Sequence, residues 1–303
     1  MGEIIITGAG GFLGQAIVAA ARAEGFDVRA VVRSSAPKSW LGDPNIRVVT
    51  NDLADGFAPG PIAEDDVVIH AAASFGDDAT QARDTAKATA NILDALPKGA
   101  RLVLVSSFSV YDYVALADGA VLDETAKLET DLDKRDAYTR AKLAQEEAAK
   151  RKDLDLRIAR PAVIYAAGDR AWTSLVGWKL GPFIVTYAPD AQIPAIHVDD
   201  CAAQLVKLAT LDTIKGDPVL NLVSPNSPTR RDWIKVMGLK PLALPKGVLF
   251  GCSKLFGAIL PNGLGLPKLA ARFKPLRYDA ARAEAILGPL PDRDALAAMK
   301  EPT

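Results

Sequence analysis

Tyr138 and Lys142, the ends of the run Tyr138-Thr-Arg-Ala-Lys142, are spaced so that on a helix a phenol and an ammonium group share one face, one turn apart. Such a pair can move protons. The ammonium charge favours the phenolate, and the phenol can exchange a proton with a substrate oxygen. An isolated pair has a second reading, an aromatic ring packed beside a solvated lysine. A glycine-rich segment near the start of the chain favours the chemical one.

That segment is Gly8-Ala-Gly10-Gly11-Phe12-Leu13-Gly14, set between a short apolar strand, Glu3-Ile-Ile-Ile-Thr7, and an alanine-rich helix over Gln15–Arg22. Strand, glycine turn and helix in this order suit a dinucleotide. Glycines let the backbone approach a ligand, and the helix start offers unpaired N–H groups and a positive dipole end to a pyrophosphate. The spacing Gly8, Gly11, Gly14 differs from GxGxxG, whose third glycine would fall at Leu13. The next strand, Val28–Arg33, ends in arginine where an NAD-preferring fold carries an acid for the ribose hydroxyls. Arg33 suits a 2′-phosphate instead, with Ser34 and Lys38 assisting, so NADP is expected and NAD is the alternative.

These residues need a scaffold that gathers them. Further apolar runs at Ile46–Val49, Val67–Ile69, Leu102–Val105, Leu156–Ala159 and Val219–Leu222 alternate with helical stretches. The pattern predicts an α/β fold, a doubly wound parallel sheet of Rossmann type with helices on both faces. Ligands bind such sheets at the carboxyl ends of the strands, and Gly8, Arg33, His70 and Ser107 each follow one. Residues 1–165 and 196–223 are expected to form the dinucleotide-binding domain. Residues 166–195 and 224–303 are expected to form a smaller, mostly helical substrate lobe.

The chain resembles the extended short-chain dehydrogenases/reductases of the NAD-dependent epimerase/dehydratase type over nearly its full length. Thr7–Gly14, Asn51-Asp52-Leu53, His70–Ala73, Val105–Tyr111, Tyr138–Lys142, Arg160-Pro161 and Ile196–Asp200 carry the resemblance. It implies that Asp52 and Leu53 meet the adenine, and that His70, Ala71, Ala72 and Ala73 line the phosphates and nicotinamide ribose. Pro161 completes the implied cofactor set. Ser107 takes the place of the family's catalytic serine or threonine, Tyr138 that of the acid/base, and Lys142 that of the residue holding the ribose. Thr85 stands where an asparagine is often found, Asp112 replaces a glycine, and Ala166 replaces another. Family members often dimerise through two helices, here near Ala79–Leu96 and Asp136–Arg151, so a homodimer is one expectation.

With 303 residues, 49% of them hydrophobic, the chain can bury a sizeable core. The 36 basic and 37 acidic residues leave a net charge of -1, which carries no nucleic-acid footprint. Cys201 and Cys252 are too few for a disulfide framework, and with two histidines they make no recognisable metal spacing. A cytoplasmic setting is expected. Gly247–Leu260 is apolar but interrupted by Lys254, and too short to span a bilayer. With Lys268, Arg272, Lys274 and Arg277 it describes either an amphipathic surface touching membrane or, the preferred reading, lobe helices with solvated basic residues. No stable membrane insertion is expected.

Trp172, Leu175, Trp178, Pro182 and Phe183 either line an apolar substrate pocket or belong to a core. Gln192–His197 lacks the arginine that nucleotide-sugar enzymes of this type commonly place there. The leading expectation is therefore an enzyme that moves a hydride between NADP(H) and a carbonyl or alcohol of a small-molecule, partly apolar substrate. The alternative is an epimerase or dehydratase acting on a sugar or nucleotide sugar.

Overall fold

The structure, a computed structural model, describes residues 2–58, 60–73, 78–166, 176–248 and 273–300, with the backbone alone at 78–82 and 134. Seven strands form the main sheet: β1 (Ile4–Thr7), β2 (Val28–Val32), β3 (Ile46–Thr50), β4 (Val67–His70), β5 (Arg101–Val105), β6 (Asp155–Pro161) and β7 (Val219–Leu222). Their order is β7-β6-β5-β4-β1-β2-β3, and every pairing is parallel. The order reverses between β1 and β4. Thr7 is level with His70 on one side and Val31 on the other, so the ends that carry the site lie in one row.

All four β1 residues are buried because both faces of the sheet are covered. Alternation sends Ile4 and Ile6 to one face and Ile5 to the other. On the first face they pack with α1 (Phe12–Ala23) and α4 (Val198–Thr210) through Ile17, Val18, Cys201 and Leu205. On the second, Ile5, Val68, Leu102 and Leu104 meet Ile92 and Leu93 of α2 (Asp78–Ala95) and Ala149 of α3 (Ala137–Lys150). Each buried isoleucine contributes about 1.5–3 kcal/mol, which makes these short strands good anchors.

The Rossmann-type sheet matches the fold expected from the sequence, with small shifts at the ends. The first helix starts at Phe12 rather than Gln15, and β2 stops at Val32, leaving Arg33 just beyond the strand. Beside the short helices Arg230–Val236, Ala281–Leu287 and Ala295–Ala298, the residues expected to form a substrate lobe carry a three-stranded sheet absent from the sequence reading. Its strands are Trp178–Leu180, Phe183–Thr186 and Lys240–Ala243, with Phe183–Thr186 in the middle. Trp172, Leu175, Cys252 and most of Gly247–Leu260 lie outside the described residues, as do Lys268 and Arg272.

Candidate active site

A cleft of about 510 Å³ runs along the carboxyl ends of β1, β2, β3, β4 and β5. At its centre lies the glycine turn. Gly8 has φ +72°, and a Cβ there would meet the Ala72 backbone at 2.8 Å. Gly14 is packed tighter: a Cβ would lie 2.1 Å from the Gly8 carbonyl oxygen. Gly10, Gly11, Phe12 and Leu13 complete the turn's contribution to the cleft. Gly11 caps α1 without a side chain and no acidic residue occupies the first turn. The amides of Phe12 and Leu13 find no acceptor among the described residues. This bare helix start fits a pyrophosphate, by hydrogen bonding and dipole together.

One end of the cleft is polar. Arg33 and Ser34 line it beside Ser35, with Asn51, Asp52 and Leu53 opposite. Arg33 is exposed and makes no ion pair among the described residues, so its guanidinium is available to an anion. Lys38 does not line the cleft; it starts a short 3₁₀ turn at Lys38–Trp40. Asp52 also has a local task, because its Oδ1 accepts from Ala54 N at 3.0 Å and caps the turn that carries Leu53.

At the other end Ser107, Tyr138, Lys142 and Pro161 converge with Ser106, Ala162 and Ile164. Asp136 caps α3 by accepting from Thr139 N at 2.8 Å, which starts the helix one residue before Tyr138. Ser107 Oγ accepts from Ser109 N at 3.1 Å, and its hydroxyl is hydrogen-bonded to the Tyr138 phenol. Burial raises the phenol pKa above its usual range; the Ser107 bond opposes the rise and Asp136 adds to it. Lys142 is buried, and this lowers its ammonium to about 8, with Glu146 opposing. Its Nζ donates to the Val105 carbonyl oxygen at 2.7 Å and sits 5.8 Å from the Tyr138 ring centroid. Ser107 favours the phenolate through its hydrogen bond.

Ala71, Ala72 and Ala73 line the cleft, but His70 does not. Its ring is buried, with Nδ1 2.7 Å from Thr7 Oγ1, and Nε2 3.3 Å from Thr89 Oγ1 and 3.2 Å from Gln145 Nε2. Burial first, and the Lys142 charge second, lower its pKa to about 3, so the imidazole is neutral at physiological pH. His70 ties β4 to β1, α2 and α3 instead of facing a ligand. Thr85 is buried at the cleft wall, and the Asp112 carboxylate accepts from Val114 N and Ala115 N, closing the loop after Tyr111. Trp178 packs against Phe273 with ring centroids 5.1 Å apart, while Phe183 is turned outward.

Beneath the site lies a buried network that the sequence reading missed. Glu146 follows Lys142 by one helical turn. Its carboxylate accepts from Arg160 Nε at 2.9 Å and Nη2 at 2.7 Å, and from Ser106 Oγ at 2.6 Å. Arg160 Nη1 donates to Tyr111 Oη at 3.0 Å, and Tyr111 Oη donates to Asn221 Oδ1 at 2.6 Å. The only sequence signal was the i+4 series of Tyr138, Lys142 and Glu146.

A parallel sheet reversing at a glycine turn, with a cleft along its strand ends, defines a dinucleotide-binding enzyme fold. A model of the NAD dependent epimerase/dehydratase family matches residues 4–222, and the chain belongs to that family. The family is one of NAD(P)-dependent enzymes. A relative from Caulobacter vibrioides (strain NA1000 / CB15N), "Ceramide reductase", is 31% identical over 246 residues, covering 78% of this chain and 68% of the relative. Among solved structures, MoeE5 in complex with UDP-glucuronic acid and NAD is 21% identical with a TM-score of 0.68, covering 98% of this chain and 96% of the other. The human epimerase family protein SDR39U1 (isoform2) with NADPH is 18% identical with a TM-score of 0.66, covering 98% of each chain. Both structural likenesses are of fold. No described helix is long and apolar enough to cross a membrane, and no described cluster of His, Cys, Asp or Glu could hold a metal ion.

Proposed function

We propose that the protein is an NADP(H)-dependent reductase that converts a carbonyl of an apolar, ceramide-like lipid to an alcohol. The Ser107–Tyr138 hydrogen bond at the end of the cleft is the observation that carries this reading. Bound NADPH supplies the hydride. Ser107 and Tyr138 hydrogen-bond the carbonyl oxygen as negative charge develops on it, and Tyr138 delivers the proton that completes the alcohol. Lys142 holds the nicotinamide ribose, giving up its bond to the Val105 carbonyl in exchange, and its charge stabilises the phenolate left when Tyr138 has given up its proton. Arg33 and Ser34 take the 2′-phosphate, while Ala162 and Ile164 offer an apolar wall to substrate. The lipid class is suggested by the Caulobacter relative, and residues 166–195 with 224–303 are proposed as the lobe that receives it.

The test is NADPH oxidation against long-chain keto-lipids, simple ketones and keto-sugars, comparing wild type with Tyr138→Phe. Tyr138-dependent consumption with a keto-lipid is expected, with cofactor affinity nearly unchanged in the variant. A nearly active Tyr138→Phe would refute the assigned chemistry, and a tenfold preference for NADH, about 1.4 kcal/mol the other way, would refute the role of Arg33. An epimerase or dehydratase, the second reading, draws its support from family membership; it predicts retained cofactor and no net NADPH consumption. A homodimer through α2 and α3, which pack side by side, is proposed as the assembly and is checked by light scattering.

A further inference from the structure

Ser107 caps the short 3₁₀ turn Phe108–Val110 after β5, and Tyr138 lies in the first turn of α3, so their hydrogen bond joins two segments distant in sequence. Arg135, only 4% exposed, touches both segments. Its Nη2 donates to the Ser109 carbonyl oxygen at 2.8 Å and to Thr139 Oγ1 at 3.2 Å, and its Nη1 donates to the Tyr111 carbonyl oxygen at 3.4 Å. Ser109 is also the residue whose amide donates to Ser107 Oγ at 3.1 Å, and Thr139 directly follows Tyr138. These contacts close a ring that runs from Ser107 through Ser109, Arg135, Thr139 and Tyr138 back to Ser107.

Glu129, itself buried, supplies the counter-charge. Its Oε2 accepts from Arg135 Nη1 at 3.3 Å, while its Oε1 accepts from Thr130 N at 3.0 Å and Asp131 N at 2.9 Å. Glu129 N donates to the Val110 carbonyl oxygen at 2.8 Å and Tyr111 pairs with Leu128, so the segment carrying this carboxylate is bound to the turn after Ser107. Arg135 Nε finds no acceptor among the described residues. A buried ion pair that leaves an N–H unpaired adds little stability, because an apolar side chain would avoid the desolvation of both charges. An apolar side chain could not, however, hold two carbonyl oxygens and a hydroxyl at fixed separations, as the planar guanidinium does. Arg135, Glu129 and Thr139 do not line the cleft, so they act on it through Ser107 and Tyr138.

We propose that Arg135 is a positioning residue, which holds the turn after β5 against the start of α3 and so keeps Ser107 Oγ and the Tyr138 phenol within hydrogen-bond distance before substrate arrives. A substrate carbonyl oxygen must meet both groups at once, and a misplacement of about 1 Å costs about 100-fold in rate. Donors held in advance need no reorganisation as charge develops on that oxygen. The proposal deepens the reductase reading and rests on it for the kinetic half of its test, while the spectroscopic half is read without turnover.

The full chain, its tyrosines labelled with carbon-13 at Cζ, is compared by NMR with Arg135→Lys, Thr139→Val and Ser107→Ala, and the Tyr138 resonance is assigned by its loss in Tyr138→Phe. Arg135→Lys keeps a charge opposite Glu129 but replaces the fork with a single ammonium. Thr139→Val removes only the helix end of the bridge at nearly constant volume, and decides the matter if the lysine variant does not fold. Both should move the Tyr138 resonance in the direction that Ser107→Ala moves it, and neither should move it further when added to Ser107→Ala. In Tyr138-dependent carbonyl reduction kcat should fall about 10- to 100-fold, with KM and NADPH affinity unchanged. A merely structural role would lower the thermal midpoint and leave the resonance of the folded protein in place. That result, or shifts that add to those of Ser107→Ala, would overturn the proposal. The resonance gives its answer even if the chain reduces no carbonyl, so failure of the reductase reading is told apart from failure of this one.

Discussion

Glu146→Gln removes one charge from the buried network under the proposed catalytic helix and changes almost no volume. Glu146 is 1% exposed and Arg160 3%, so neither is rescued by water. The amide retains one acceptor oxygen but sets an NH₂ group against donors that now face a carboxylate, Arg160 Nε and Nη2 and Ser106 Oγ. Leaving the guanidinium buried without its counter-charge costs about 3–5 kcal/mol, and the retained oxygen places the expected loss near the lower bound. A domain with a stability of about 5–15 kcal/mol survives this, so urea unfolding at neutral pH can measure it. The loss depends on pH. Burial pushes the Glu146 carboxyl upward, but its bonds and charge contact with Arg160 outweigh this and hold it below the ordinary 4.5. A depressed carboxyl stabilises above its unfolded pKa and loses that contribution as pH falls through its folded value, so the difference between wild type and variant should narrow below about pH 4. Glu146 also opposes the depression of Lys142, now at about 8. Without the carboxylate, Lys142 should titrate lower, moving the alkaline limb of the kcat/KM profile down by about one pH unit. Adding Arg160→Met should recover much of the lost stability. A change under about 0.5 kcal/mol at pH 7, or an alkaline limb that moves upward, would refute this account of the network.

Gly14→Ala should cost about 1–3 kcal/mol and weaken cofactor binding at least tenfold. Its methyl group would lie 2.1 Å from the Gly8 carbonyl oxygen and must push α1 away from the turn; thermal melts and NADPH titration check both effects. Thr229→Ala should cost about 1 kcal/mol in urea unfolding, since Thr229 and Asp232 form a reciprocal cap on the helix that buries Trp233, while Thr229→Gly should cost only a few tenths.

The strands of the main sheet were legible as short apolar runs: those buried on both faces, such as Ile4-Ile5-Ile6, are apolar throughout, while β3 at the sheet edge is largely exposed. Local order alone placed Gly8, Arg33 and Ser107 after strands, and helical spacing alone put Tyr138 and Lys142 on one face. Spacing is silent on which way a side chain turns once the elements pack. His70 ends a strand at the expected position, yet Thr7, Thr89 and Gln145, from three other elements, draw its ring away from the cleft. Likewise Lys142 sits where its helix predicts, but the Val105 carbonyl on β5 decides where its ammonium points. Glu146, Arg160, Tyr111 and Asn221 are scattered along the chain, and only the parallel register of β5, β6 and β7 beside α3 makes them one network. Periodicity along one chain specifies elements and their faces; what a face meets is set by its neighbours, which are distant in sequence.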